Sequence, residues 1–328
     1  MQRCLDDKLL TLLVPVFNEE KNIALLVEKL AMVLADIVRY EVLFVDDGST
    51  DGSLSAIKAA CAAFDNIYFL SFSRNFGHQN ALKAGIDHCR GDIIVSLDGD
   101  LQHPPEIIPA MLREWQKGFD IVYTCRKDSK ETGIFKRVSA YIFYQTINMI
   151  SKIQLKQGVA DFRLIDKTAL SALRRFNEQD LFFRGIIASI GYKQAEIEYT
   201  PGQRLHGSTK YSFRKMVHLA VNGITGFSVF PLRILSITGL IFSFGSFLYG
   251  LYAMGIRFFT AQAVPGWASM MAGIYFLGGL QLAAVGICGE YIGKIFLEVK
   301  QRPHYIIADC HLPNATQIEP CPMQASSL

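Results

Sequence analysis

The 328-residue chain lacks any pattern of paired cysteines. Its seven cysteines, Cys4, Cys61, Cys89, Cys125, Cys288, Cys310 and Cys321, are odd in number, scattered, and never spaced as C-x-x-C. That speaks against a disulfide framework or a zinc site and for a reducing compartment. No G-x-G-x-x-G and no G-x-x-x-x-G-K-[ST] occurs, so neither dinucleotide nor P-loop phosphate chemistry is supported. A secretory leader is not expected either. Leu9 to Phe17 is apolar, but Asp6 and Asp7 precede it, and Asn18, Glu19 and Glu20 stand where small cleavage-site residues belong. The net charge of +3 gives no reason to expect a nucleic-acid partner. Charge is missing altogether from two long runs, Ile234–Ile256 and Phe258–Gly289.

What the chain does have is alternation, on a length that allows about two domains. Leu9–Val16 predicts a buried strand, with Pro15 and Asn18 marking the turn after it. Ile23, Leu26, Val27, Leu30 and Leu34 then recur at helical spacing. Val42–Val45 predicts a short strand ending in Asp46 and Asp47, followed by a turn in which Thr50 or Asp51 would cap the next helix. Helices are expected over Leu54–Phe64, Ala81–Cys89 and Glu106–Lys117, and strands over Ile67–Ser71, Ile93–Leu97 and Ile121–Thr124. Strands alternating with helices give an α/β fold with a mostly parallel sheet covered on both faces. Ligands of such sheets bind at the carboxyl ends of the strands. Val16–Glu19, Asp46–Asp47 and Asp98–Gln102 all fall there.

The last of these is the densest. The apolar run Ile93–Leu97 feeds into Asp98 and Asp100, parted by Gly99, with Gln102 two residues on and Pro104-Pro105 closing the segment. If strand geometry persists, the three polar side chains share one face. Converging oxygens suit a hard divalent cation that also holds phosphate oxygens. A loop of solvated acids stays open as the alternative. His78 and His103, near strand ends, are read as hydrogen-bonded structural residues rather than ligand contacts.

From about residue 126 to 210 cations accumulate, among them Arg126, Lys127, Lys136, Arg137, Arg163, Arg174, Arg175, Arg184, Arg204 and Lys210. Phe213, Met216, Val217, Ala220, Val221, Ile224 and Phe227 then predict an amphipathic helix with cations at its start, suited to a membrane interface. About 20 apolar residues cross the hydrocarbon. The uncharged runs therefore predict two membrane spans, at about 234–256 and, after Pro265-Gly266, at 267–289. Arg214, Lys215, Arg233, Lys294, Lys300 and Arg302 flank the outer ends, against Arg257 alone at the connection. Positive-inside places the large domain and the C-terminus in the cytoplasm. The organisation expected is a catalytic domain over 1–210, an interfacial region over 211–232, a two-helix anchor over 233–293 and a polar tail over 294–328. The tail after Pro303 is expected to be disordered.

Several blocks, in this order, carry a resemblance. Val14–Glu20, Asp46–Asp51, Arg74–Gly77, Leu97–Pro105, Asp161–Leu164, Arg204–Tyr211, Phe230–Arg233 and Gly289–Lys294 resemble signature blocks of family 2 inverting glycosyltransferases. Within that family the chain is similar to the polyprenyl-phosphate sugar transferases, over about residues 9–307. The resemblance implies a glycosyltransferase A-type nucleotide-sugar domain and transfer of one hexose to undecaprenyl or another polyprenyl phosphate. Glucose from UDP-glucose is the expected donor; an aminoarabinose derivative, another amino sugar or mannose is the alternative. It implies that Asp98, Asp100 and Gln102 hold Mg²⁺ or Mn²⁺ against the donor diphosphate, with Asp100 catalytic. It implies that Pro15, Phe17, Glu19, Asp47 and Asp98 bind the donor.

Asp161 matches the aspartate proposed as catalytic base. A phosphate monoester is largely ionised at neutral pH and needs no base, so Asp161 could instead position Arg163 or a sugar hydroxyl, or form a buried ion pair with Arg163 or Arg126. Arg126, Arg137, Arg163, Arg204 and Lys210 are the candidates for the acceptor phosphate. A surface attracted to anionic headgroups, at about 1 kcal/mol per cation, is the alternative for them. By analogy the chain would be a tetramer in the bacterial inner membrane. A processive polysaccharide synthase is the weaker expectation, because Q-x-x-R-W is missing. A non-catalytic membrane scaffold that binds a nucleotide sugar is a third.

Overall fold

A computed structural model describes residues 3–126, 145, 158–200, 230–260 and 266–313. They divide between two compact units: the described residues up to 200 and from 303 onward form one, and 230–260 with 266–302 the other.

The first unit is built on β1 (Leu9–Val16) and β2 (Arg39–Asp46), apolar runs buried almost end to end. A strand that is apolar on both faces needs cover on both, and helices provide it. α1 (Glu20–Leu34) turns Ile23, Leu26, Val27, Leu30 and Leu34 into the core, the residues expected from their spacing. Burying each such side chain is worth about 1.5–3 kcal/mol. α2 (Ser53–Ala63) leads to β3 (Ile67–Phe72), and α3 (His78–His88) to β4 (Ile93–Ser96). α3 lies so close to β1 that a Cβ on Gly85 would stand 1.9 Å from a methyl of Leu13. A 3₁₀ turn (Pro105–Ile107) and α4 (Ile108–Gln116) precede β5 (Ile121–Arg126). β6 (Val159–Asp166), α5 (Lys167–Leu173), α6 (Phe183–Ser189) and β7 (Gln194–Tyr199) follow.

The eight strands form one sheet in the order β7-β5-β6-β4-β1-β2-β3-β8, where β8 is Ile307–His311. β1 pairs in parallel with β2 and β4, β2 with β3, and β5 with β7. β6 runs antiparallel between β4 and β5, and β8 antiparallel beside β3. The sheet is thus mostly parallel, as expected. Chain order reverses at β1, with β2 on one side and β4 on the other, and that is where such sheets open a crevice.

Three expectations are corrected. β4 stops at Ser96, and Asp98–Gln102 is a turn in which Leu101 has φ 62°, so strand alternation does not place its side chains. The N-cap of α2 is Gly52, not Thr50 or Asp51, although the Asp51 carboxylate accepts the Ser53 N–H at 3.0 Å. The tail after Pro303 is not uniformly irregular. Ile307–His311 completes the sheet, because the β3 edge offers backbone groups that need partners.

The second unit holds two long helices, α7 (Phe230–Thr260, 31 residues) and α8 (Trp267–Val299, 33 residues). Phe242 and Phe276 meet between them, ring centroids 5.5 Å apart. Ile237, Leu240, Ile241, Phe244 and Phe247 point outward on α7. Among the described residues one stretch, Phe230–Tyr249, is long and apolar enough to cross a membrane. The second span expected, at 267–289, falls within α8, several of whose side chains lie outside the described residues. The interfacial helix expected over 213–227 lies outside the described residues.

Candidate active site

The loops after β1 and β2 are laced into one floor. Asn18, at φ 57°, accepts the Thr50 N–H through its side chain at 2.8 Å, and its own N–H donates to Ser49 Oγ at 3.0 Å. The Glu19 N–H donates to Ser53 Oγ at 2.8 Å, while the Glu19 carboxylate takes the Asn22 amide. Asp46 is buried, accepting from the Ser71 hydroxyl (2.7 Å) and the Ser49 N–H (3.1 Å). Gly48 follows at φ 68°, where a Cβ would lie 2.3 Å from the Arg74 carbonyl carbon. Only glycine lets the two backbones approach this closely.

Asp47 reaches across that approach. Its carboxylate accepts the Phe76 N–H at 2.7 Å and the Gly77 N–H at 2.9 Å. Burial pushes its pKa up, and these backbone N–H groups oppose the shift. A cavity of about 230 Å³ opens here, lined by Pro15, Phe17, Asp47, Asn75, Gly77 and His78 among others. Three of the five expected donor-binding residues, Pro15, Phe17 and Asp47, therefore share one wall. Asp98 stands beside it, while Glu19 serves the loop structure as well.

The acidic turn is pinned from below. The Asp98 N–H donates to His103 Nδ1 at 3.0 Å, which makes His103 the Nε2–H tautomer. His103 is 1% exposed and stacks on Phe162, 5.1 Å between centroids. Burial holds its pKa below the ordinary histidine value. The Asp100 carboxylate accepts the Gln102 N–H at 3.1 Å, tightening the same turn. The Asp98 side chain is 32% exposed and accepts no hydrogen bond among the described residues; His103 Nδ1 and His78 Nε2 lie 3.6 and 3.7 Å from it.

This donor set fits a divalent cation held jointly with a ligand. No cage of three or more His, Cys, Asp or Glu side chains occurs among the described residues. Mg²⁺-type sites need only one or two carboxylates, with waters and substrate phosphates completing the shell. A partly exposed carboxylate 3.7 Å from His78, which lines the cavity, meets that requirement.

On the other side of Asp98, β6 presents Asp161. Arg163 donates to it at 2.8 Å, and Arg184 grips it with two contacts at 3.1 and 2.9 Å. Burial raises the Asp161 carboxyl, but the two guanidinium groups outweigh burial and hold it well below the usual carboxylate range. Such a carboxylate is a poor proton acceptor near neutral pH. Burial lowers the Arg163 pKa, with Asp161 opposing it. Arg163 is 3% exposed and also donates to the Ala160 carbonyl, so it does not face an incoming acceptor. Arg163, expected at the acceptor phosphate, is held on Asp161 and Ala160 instead of standing open.

Arg184, whose side chain is 38% exposed, takes the outer position; nothing in the local sequence pattern singled it out. Arg126 is exposed at the end of β5 and donates from Nε to the Tyr199 hydroxyl at 3.0 Å. Arg137, Arg204 and Lys210 lie outside the described residues. Of the two histidines, His103 is structural as expected. His78 faces Asp98 and Asp161 (3.7 and 4.0 Å) at the cavity wall.

The family model for glycosyl transferase family 2 matches residues 11–174, the span that carries Asp47, Asp98, Asp100 and Asp161. A prophage bactoprenol glucosyl transferase homolog of Escherichia coli (strain K12) is 40% identical over 300 residues, which is 91% of this chain and 98% of that protein. The SfII prophage-derived bactoprenol glucosyl transferase of Shigella flexneri is 40% identical over 307 residues, 93% of this chain and 99% of that one. Among solved structures, the mannosyltransferase PcManGT from Pyrobaculum calidifontis, in complex with GDP-Man and Mn²⁺, gives a TM-score of 0.49 at 19% identity, covering 67% of this chain and 63% of that chain.

Proposed function

This chain belongs to glycosyl transferase family 2 and is a glycosyltransferase, and we propose that it transfers a single hexose, glucose from UDP-glucose, with inversion to undecaprenyl phosphate at the cytoplasmic face of the membrane. The observation that carries the proposal is the reach of the bactoprenol glucosyl transferase relatives, which align along the sheet unit and the long helices alike. Residues 1–210 would form the catalytic domain. α7 and α8 would anchor it through spans at about 234–256 and 267–289, with 211–232 at the interface and the C-terminal segment also cytoplasmic. The outward apolar side chains of α7 support such an anchor.

Each part of the crevice then has a task. The wall made by Pro15, Phe17 and Asp47 would hold the nucleoside, kept rigid by the laced loops and by Gly48. Asp98, Asp100 and Gln102 would hold Mg²⁺ or Mn²⁺, which neutralises charge on the departing diphosphate. Asp161 would orient Arg184 rather than take a proton. The acceptor phosphate arrives largely ionised, so the attacking oxygen needs no base. Arg184 and Arg126, with Arg137, Arg204 and Lys210, would collect that phosphate; Arg offers the fork geometry it requires.

Purified full-length protein, incubated with undecaprenyl phosphate and a panel of nucleotide sugars, tests this by mass spectrometry of the lipid product. A hexosyl phospholipid formed from UDP-glucose alone is the expected result. A product formed only from an amino-sugar, aminoarabinose or mannose donor would move the donor assignment, and donor binding with no product would favour a non-catalytic scaffold.

A further inference from the structure

The chemistry above leaves His78 without a task, although its place is well defined. It is the first residue of α3 and lines the cavity with Pro15, Phe17, Asp47 and Asn75. Its Nε2 stands 3.7 Å from Asp98 Oδ1 and 4.0 Å from Asp161 Oδ2. Both separations exceed hydrogen-bond length. The imidazole therefore faces two carboxylates and is committed to neither. Its side chain is 41% exposed, open to whatever enters the crevice.

The backbone beneath it is firmly held. Asp47 takes the N–H groups of Phe76 and Gly77 just before it. Further along α3, Gly85 abuts Leu13, and buried Lys83 donates to Asp87 at 2.8 Å and to the Arg174 carbonyl at 3.2 Å. A side chain on such a base meets a ligand in a fixed position, which is what an efficient contact requires.

Resting on the hexose transfer proposed above, we infer that His78 donates from Nε2 to the diphosphate of the bound donor and strengthens that contact as the nucleoside diphosphate departs. Charge balance favours this side of the crevice. The bond from the sugar anomeric carbon to the β-phosphate oxygen breaks, and its electron pair stays on that oxygen. A bond from the acceptor phosphate oxygen to the anomeric carbon forms. No proton moves. The acceptor gives up one negative charge in becoming a diester, and the departing diphosphate gains it. His78 lines the cavity, with Asp98 3.7 Å from its Nε2, where that diphosphate would lie. An imidazole with its hydrogen on Nε2 donates to a phosphate oxygen in this position. A donor aimed at developing charge acts on the transition state more than on the ground state.

Full-length His78→Ala, His78→Phe and His78→Gln proteins test the inference in two ways. Calorimetry with UDP and with uridine, in EDTA, reads the diphosphate contact without metal. Steady-state kinetics with UDP-glucose and undecaprenyl phosphate read kcat and each KM. The Ala and Phe variants should bind UDP about tenfold more weakly, bind uridine as the wild type does, and lose roughly ten- to a hundredfold in kcat, the range for a hydrogen bond to a charged group. The lipid KM should stay within twofold, and His78→Gln, which keeps a side-chain donor, should recover part of the loss. His78→Phe keeps a ring and decides the matter should His78→Ala fail to fold.

UDP affinity and kcat within twofold of wild type would overturn the inference. So would uridine affinity falling as far as that of UDP, because His78 would then be wall alone. A wild type that binds UDP but transfers nothing to undecaprenyl phosphate would sink the proposed function, while the UDP–uridine comparison would still decide the role of His78.

Discussion

His103 Nδ1 accepts the backbone N–H of Asp98 at 3.0 Å, from a ring that is buried and stacked on Phe162. The residue that follows Gln102 thereby holds the start of the turn that would carry the metal. His103→Phe keeps the ring volume and removes the acceptor. It should cost about 1–3 kcal/mol, the usual penalty for an unsatisfied buried donor, and metal-dependent transfer should weaken with it. Thermal melting of the two proteins with and without Mn²⁺ checks this; an unchanged melting temperature and unchanged Mn²⁺ response would remove the pin from the account.

Asp161 invites a misreading of mutational data. Its partner Arg163 is buried, so removing the carboxylate leaves an unpaired charge in the interior. Asp161→Ala should destabilise the protein by about 3–5 kcal/mol, the range for breaking a buried ion pair. Lost activity in that variant would not identify a base. Because Arg163 and Arg184 hold its pKa well below the usual range, the wild-type pH–rate profile should show no ascending limb between pH 5 and 7 attributable to Asp161. An ascending limb in that range that disappears in Asp161→Asn would count for the base instead.

Asp100 offers the direct test of the acidic turn. Asp100→Ala removes a proposed cation ligand and the acceptor that tightens the turn onto the Gln102 N–H. Hexosyl-lipid formation in membranes supplied with donor and metal should fall at least a hundredfold, in line with losing a main electrostatic stabiliser. EDTA should reproduce the loss in the wild type, and added Mg²⁺ or Mn²⁺ should reverse it. Near-normal product from the variant would remove Asp100 from the metal site.

Much of this site was legible from residue order, for reasons that can be named. The stripe Ile23–Leu34 and the apolar runs of β1, β2 and β4 reflect burial, which local spacing records. Asp47 and Asp98 were legible because they end buried strands, where such sheets bind ligands. Three things were not. Arg184 meets Asp161 across 23 positions of sequence, and spacing says nothing of that pairing. The turn after Ser96 depends on positive φ at Leu101, a residue with no intrinsic preference for it. β8 is a short segment, Ile307–His311, whose strand state rests on pairing with the edge of β3, a partner far away in sequence that local spacing does not announce.

Asp166 gives a pH dependence with a definite sign. It caps α5, accepting the Thr168 N–H at 2.8 Å, and also takes the Trp115 indole N–H at 2.8 Å. Burial raises its pKa, but these bonds and Arg3 outweigh burial and leave it below its ordinary 3.8. A depressed folded pKa means the contribution is full above pH 3.8 and is lost as pH falls through the folded value. Asp166→Ala should cost about 0.5–2 kcal/mol at pH 7, as for other lost N-caps. The gap in melting temperature from wild type should narrow below pH 4. A gap independent of pH would mean that the carboxylate charge has no part in it.

The edge strand β8 is fastened by three kinds of contact, and they should not matter equally. Lys58 and Asp309 pair at 2.6 Å, but both are exposed, so Asp309→Ala should change stability by less than about 0.5 kcal/mol. Tyr305, just before the strand, stacks on Phe72 with centroids 5.2 Å apart and 12° between planes, and its hydroxyl reaches Asp87 at 3.2 Å. Tyr305→Ala should therefore cost about 2 kcal/mol, and Tyr305→Phe about 1 kcal/mol. Ending the chain after Ile306 removes the β8 ladder and exposes the backbone of β3. Bare strand edges pair with other molecules, so this protein should aggregate on mild heating before it loses helical signal. Light scattering recorded with circular dichroism would show the order of events. A truncated protein that melts like the full chain and stays monodisperse would show that the β3 edge needs no cover.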